Sequence, residues 1–233
     1  MHTKNRKYVA VSSLYAIKKY YKAVSNLVGE NRLLFMKTFN ILGVAGSMRE
    51  GSFGTRTLKI VLDIARKYEA ETRLLELRKT SMPLFNPDLS TQSDMNMQKV
   101  TDQVNWADAF ILVSPDYHGS MSGSMKNFLD HYWEEFAGKT FGYICTSHEK
   151  GLTVMDQMRT AVRQCYGWSL PYGISINGEE DFNEAGEIIN SLLHKRLNIL
   201  ARDLVVYGKL IREQFLQDIS SRVPNTFAAR YRL

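Results

Sequence analysis

The sequence predicts an α/β fold, a five-stranded parallel sheet held between two layers of helices. From Phe39 onward, short apolar runs alternate with helix-length amphipathic segments, the pattern of repeated βαβ units. At 233 residues and 44% apolar composition, the chain is long enough to bury a substantial core in one such domain. The first apolar run, at Ile41, breaks abruptly into glycine, serine, arginine and threonine before a helical pattern resumes.

The expected strands cover residues 40–45, 72–77, 109–114, 140–146 and 170–176. Expected helices cover residues 54–68, 95–106, 124–136, 152–166 and 184–214. Strict alternation with right-handed crossovers gives a three-layer sandwich. Residues 78–93 hold two prolines and no period, so they read as a long loop after the second strand. The last helix keeps apolar positions at helical spacing, among them Leu193, Leu197, Leu200, Leu204 and Ile211. The tail, residues 218–233, carries no assignable role.

Charge is unevenly placed. Residues 1–35 hold seven of the 30 basic residues and one of the 24 acidic ones, leaving 23 of each in the remainder, so the whole formal charge of +6 lies in that segment. The body is neutral, which argues against nucleic-acid recruitment by bulk charge. Three readings of residues 1–35 stand: a flexible basic arm, an organelle-targeting presequence, and an extension upstream of a start at Met36. The third is favoured because Met36-Lys37-Thr38-Phe39 leads directly into the first strand. The organisation expected is therefore a basic extension (1–35), one ligand-binding domain (36–217) and a tail. No run approaches the roughly 20 apolar residues needed to cross a bilayer, and a cytoplasmic location is expected. Cys145 and Cys165 form no disulfide framework, and Cys145 lies in an apolar run where a reduced, buried thiol is the usual state. The fragment Cys145-Thr146-Ser147-His148 lacks a second ligand pair at zinc spacing, so no metal site is expected.

In an open parallel sheet, ligands sit beyond the carboxyl ends of the strands, where the topology changes direction. The loops leaving the first, third and fourth strands therefore carry the functional expectation. In the first, Ser47, Ser52 and Thr55 offer hydroxyls, Arg49 offers a charged fork of donors, and the next helix points its unpaired N–H groups the same way. That combination suits a phosphate. It is no dinucleotide or nucleotide-triphosphate fingerprint: G-x-G-x-x-G is absent, and Gly138-Lys139-Thr140 lacks the upstream glycine.

The second loop, SPDYHGSMSGSMKNFLD from Ser114, sets Pro115, Asp116, Tyr117, His118 and Gly119 at a strand exit. Tyr117 suits contact with a planar ring. His118 has no evident acid or nucleophile partner and reads as a hydrogen-bonding residue, so no catalytic side chain is assigned. The third loop, TSHEKGLT from Thr146, turns at Gly151 into a helix. Its amides can face an electron-rich ring edge, while His148, Glu149 and Lys150 read equally well as exposed loop residues.

GSMREGSF, followed by SPDYHGSMSGSMKNFLD and EKGLTVMDQMR, resembles the NADPH-dependent FMN reductase family of flavodoxin-like proteins, from about Phe39 to Tyr207. The resemblance implies a flavodoxin-like sheet of order 2-1-3-4-5 and FMN phosphate held by Ser47, Arg49 and Ser52. It also implies residues 115–119 beside the isoalloxazine and ribityl chain, and His148 to Gly151 near the pyrimidine edge. The activity implied is electron transfer from NADPH or NADH through FMN to a quinone, flavin or similar small acceptor, in a homodimer or homotetramer. HYWEEF, from His131, is a candidate contact patch. An alternative is a flavodoxin-type electron carrier without nicotinamide turnover; a third reading is an interaction module that has lost the cofactor. Three departures stand out: Gly54 replaces the usual asparagine or serine, leaving Thr55 or backbone to donate; Asp116 and His118 change the usual Pro-Glu-Tyr-Asn; and Ser122 replaces a frequent proline.

Overall fold

The computed structural model describes residues 38–89 and 94–231. The expected basic extension, residues 1–35, lies outside the described residues, as do residues 90–93 of the expected long loop.

The first βα unit is β1 (Phe39–Ala45) and α1 (Phe53–Arg66), followed by β2 (Ala70–Glu76). Next come α2 (Met95–Trp106), β3 (Ala109–Tyr117), the short β4 (Ser120–Met121) and α3 (Gly123–Asp130). Then follow β5 (Thr140–Thr146), α4 (Leu152–Gln164), β6 (Trp168–Ser169), β7 (Ile174–Ile176), the one-turn α5 (Gly178–Asp181) and α6 (Ser191–Ser220).

The sheet order is β2-β1-β3-β5-β6, parallel throughout, with β7 also parallel to β5 and β4 antiparallel to β3. This is the implied 2-1-3-4-5 order with two refinements that raise the strand count to seven. The expected fifth strand is split in two around Pro171, which has no N–H for a ladder. The third strand continues past Pro115 and folds back on itself as a hairpin.

β1, β3 and β5 are almost wholly buried because helices cover both faces. One face presents Leu42, Val44, Phe110, Leu112, Phe141 and Tyr143 to apolar residues of α2, α3 and α4. On the other, Leu58 and Leu62 of α1 close directly over Gly43, where a Cβ would stand 2.7 Å from Leu58 Cδ1. α1 also packs against α6.

The expected helix at 184–214 begins later, at Ser191, where the Asn190 side chain accepts from the amides of Leu192 and Leu193. Its other end continues to Ser220, and the tail turns back so that Phe215 and Ala228 pack with Ala137. The expected helix at 124–136 ends at Asp130 and resumes as a single tight turn, Glu134–Phe136. Among the described residues no helix is long and apolar enough to cross a membrane.

Candidate functional site

The first, second and third loops converge at the carboxyl end of the sheet, around a cleft of about 530 Å³. It is lined by Ser47, Arg49 and Ser52 from the first loop, Pro115, Asp116 and Tyr117 from the second, and Ser147 and His148 from the third. A wider cleft of about 1000 Å³ shares Asp116 and His148 with it and runs over Gly119 and Gly151. Gly54 and Thr55 stand at the floor, against Val113 and Thr146. His118 lines neither cleft and is exposed at the tip of the hairpin.

The first loop is a cradle of donors. Ser47 and Ser52 are buried, with 8% and 9% of their surface exposed. The Ser47 hydroxyl accepts from the Arg49 amide at 3.2 Å, and the Ser52 hydroxyl caps α1 by accepting from the Thr55 amide at 3.4 Å. Neither hydroxyl donates its own proton to a protein acceptor among the described residues, and neither do the Phe53 and Gly54 amides at the start of α1. The Arg49 side chain is in none of the ion pairs found among the described residues. Unspent donors at a helix N-terminus fit a phosphate dianion.

The second loop is a hairpin. Tyr117 pairs with Ser120, and the two residues between them, His118 at φ 56° and Gly119 at φ 75°, form the left-handed turn that suits the twist of the strands. α3 then begins just after Ser122, whose hydroxyl caps the helix at the Met125 amide and donates to the Gly46 carbonyl at 2.7 Å. Ser124 donates to the same carbonyl at 2.6 Å. The serine in place of a proline thus ties the second loop to the first.

In the third loop Gly151 adopts φ 57°, and a Cβ there would lie 2.5 Å from Cys145 Sγ, so both conformation and space require glycine. Burial, reinforced by the Asp116 carboxylate, pushes the Cys145 thiol up to about 12. It is a protonated packing group, and no cluster of three metal-ligating side chains occurs among the described residues.

Sequence reasoning did not anticipate the fourth wall. Asn177, Gly178, Glu179, Asn183 and Glu184 line the narrower cleft. The strap they belong to, residues 177–190, is anchored by buried Asp181, which accepts from the Asn177 amide at 2.8 Å and from Asn190 Nδ2 at 2.6 Å. Phe182 packs on Phe53 at 4.9 Å between ring centroids, and Gly186 lies against the Arg56 guanidinium. The available signal was Asn177-Gly178 directly after a strand, with a lone phenylalanine in an acidic stretch.

A parallel α/β sheet of this order, with unspent donors at its first strand exit and two further loops facing them, has the flavodoxin-like fold. The sequence model of NADPH-dependent FMN reductases matches residues 39–180, and the chain belongs to that family. It is 28% identical over 162 residues to an NADPH azoreductase of Bacillus sp. (strain OY1-2), covering 68% of this chain and 90% of the relative. An FMN-dependent NADPH-azoreductase of Staphylococcus saprophyticus is 27% identical over 169 residues, covering 68% and 87% of the two chains. Among solved structures, a flavoenzyme NAD(P)H:(acceptor) oxidoreductase from Paracoccus denitrificans shares the fold with a TM-score of 0.63 at 18% identity, over 74% of this chain and 98% of that one.

Proposed function

We propose that this chain is an FMN-dependent NAD(P)H oxidoreductase that passes electrons from a nicotinamide nucleotide to a quinone, azo compound, flavin or similar small acceptor. The observation that carries the reading is the cradle at the exit of β1, with two buried hydroxyl protons, two helix-start amides and Arg49 left unspent. Ser47, Arg49, Ser52 and the Phe53 and Gly54 amides hold the FMN phosphate; Thr55, whose amide is spent on Ser52, adds its hydroxyl. Pro115, Asp116 and Tyr117 form one wall for the ring system, and the 148–151 backbone forms another. Bound FMN would supply the redox chemistry, hydride acceptance from the nicotinamide and two-electron release to the acceptor. The protein binds, orients and shields, and no side chain needs to move a proton. Arg49 separates this reading from that of a nicotinamide-independent carrier, whose phosphate loop is typically uncharged.

Purified protein should be yellow and should oxidise NADPH or NADH in the presence of a quinone or azo dye. A preparation that neither takes up FMN nor oxidises either nucleotide would remove the reading. We further take residues 36–217 as the catalytic unit and the assembly as a homodimer or homotetramer, with Trp133, 61% exposed, at a contact between copies.

A further inference from the structure

The His118–Gly119 turn lies beside the proposed ring wall, and it is not a conformation the chain holds unaided. A histidine at φ 56° resists the left-handed region, and Tyr117, His118 and Gly119 are all exposed, so little packing restrains them. Restraint comes from three polar side chains. Asp116 Oδ1 accepts from the Gly119 amide at 2.8 Å, and Asp116 Oδ2 accepts from the Ser147 hydroxyl at 3.1 Å. Ser147 Oγ in turn accepts from the Glu149 amide at 3.1 Å, and the Ser147 amide donates to Ile176 O at 3.0 Å. From α4, Gln157 Oε1 accepts from the Ser120 hydroxyl at 3.0 Å and from the Met121 amide at 3.1 Å, while Gln157 Nε2 donates to Gly119 O at 3.3 Å.

Both oxygens of Asp116 are therefore spent on protein, although the residue lines both clefts. Gln157 grips the far side of the same turn from the helix that Gly151 starts. The second and third loops are thereby joined through side chains as well as through the sheet.

We propose that Gln157 and Ser147, with Asp116, are positioning residues that latch these two loops at a fixed separation before ligand arrives. The inference rests on the flavin reading above. The latch moves the ordering of both loops from the binding step to the folding step, which raises affinity through hydrogen bonds made within the protein and not to the ligand.

The test uses the full chain and two readouts: amide hydrogen exchange without ligand, and FMN affinity by fluorescence quenching. In Gln157→Ala, the Gly119 and Met121 amides should exchange faster, and FMN affinity should fall about tenfold, as loss of a few neutral hydrogen bonds permits. Gln157→Glu keeps acceptors for Ser120 and Met121 but sets a carboxylate oxygen against Gly119 O in place of the donor, so it too should speed exchange at the turn and weaken FMN binding. Asp116→Ala and Ser147→Ala should be non-additive in FMN affinity, because they break one shared bond. Unchanged exchange and affinity in Gln157→Ala, or strict additivity of the other pair, overturns the latch. Failure of the unaltered chain to bind FMN instead overturns the flavin reading, and with it the latch's flavin role.

Discussion

At Gly54 a methyl group would meet Thr146 Oγ1 at 2.8 Å and Val113 Cγ1 at 3.0 Å. Both neighbours are β-branched and stiff about χ1, so they cannot yield cheaply. The departure from the usual asparagine or serine is thus matched by bulk on β3 and β5. Gly54→Ser should lower stability by about 1–3 kcal/mol, the usual cost of overpacking, read as a drop in Tm; an unchanged Tm would mean the floor is softer than drawn. Arg49 is a different kind of residue, exposed and spent on nothing structural. Arg49→Ala should leave Tm unaltered and weaken FMN binding about tenfold or more, since a charge-assisted bond contributes about 1.5–3 kcal/mol. Ser47, Arg49 and Ser52 were legible in the sequence because they sit within seven residues of one strand exit. The role of Gly54 was not, because Val113 and Thr146 reach it from other strands.

Among the elements, the strap at 177–190 was least legible. The sequence predicts a helix from Glu184, whereas Asn190 caps that helix and Phe182 pairs with Ile188 across the strap. Tertiary support from Phe53 decides the matter, and nothing local announces it. Asp181→Ala should speed hydrogen exchange of residues 177–190 with a smaller change in the rest of the chain; uniform acceleration throughout would show that the strap is not an independent unit. The β3–β4 hairpin escaped notice because Pro115 looked like a strand terminus, yet it sits at the sheet margin with Thr146 as its register partner. At the opposite end of β5, buried Lys139 donates to Val104 O at 2.7 Å. Burial lowers its ammonium from 10.5 to about 7, with Arg212 acting the same way and Asp108 and Glu135 opposing. Between those values the unfolded chain binds the extra proton, so this group makes stability rise with pH from about 7 upward, with the penalty constant below. Lys139→Met should flatten the rise in urea midpoint between about pH 7 and pH 9; parallel profiles would contradict the assignment.

For the molecule as a whole, alternation of apolar runs was enough to read the layers, because strands buried on both faces leave a continuous apolar signature. Burial of β1, β3 and β5 bears this out. The ends of the sheet were less readable, since Pro171 divides the last strand and the tail packs back on Phe215. The site sits where β1 lies between β2 and β3, so the crossovers leave in opposite directions and open the cleft. Assembly is a property of the surface: sedimentation velocity should show a dimer or tetramer, and Trp133→Ala should shift it toward monomer. The most direct test of the central claim is a paired titration of the purified chain with FMN and with riboflavin, which lacks the phosphate. The cradle predicts one FMN per chain and riboflavin weaker by about a hundredfold or more, as loss of a dianion from several charge-assisted bonds requires. Equal affinity for the two, or binding of neither, would contradict it.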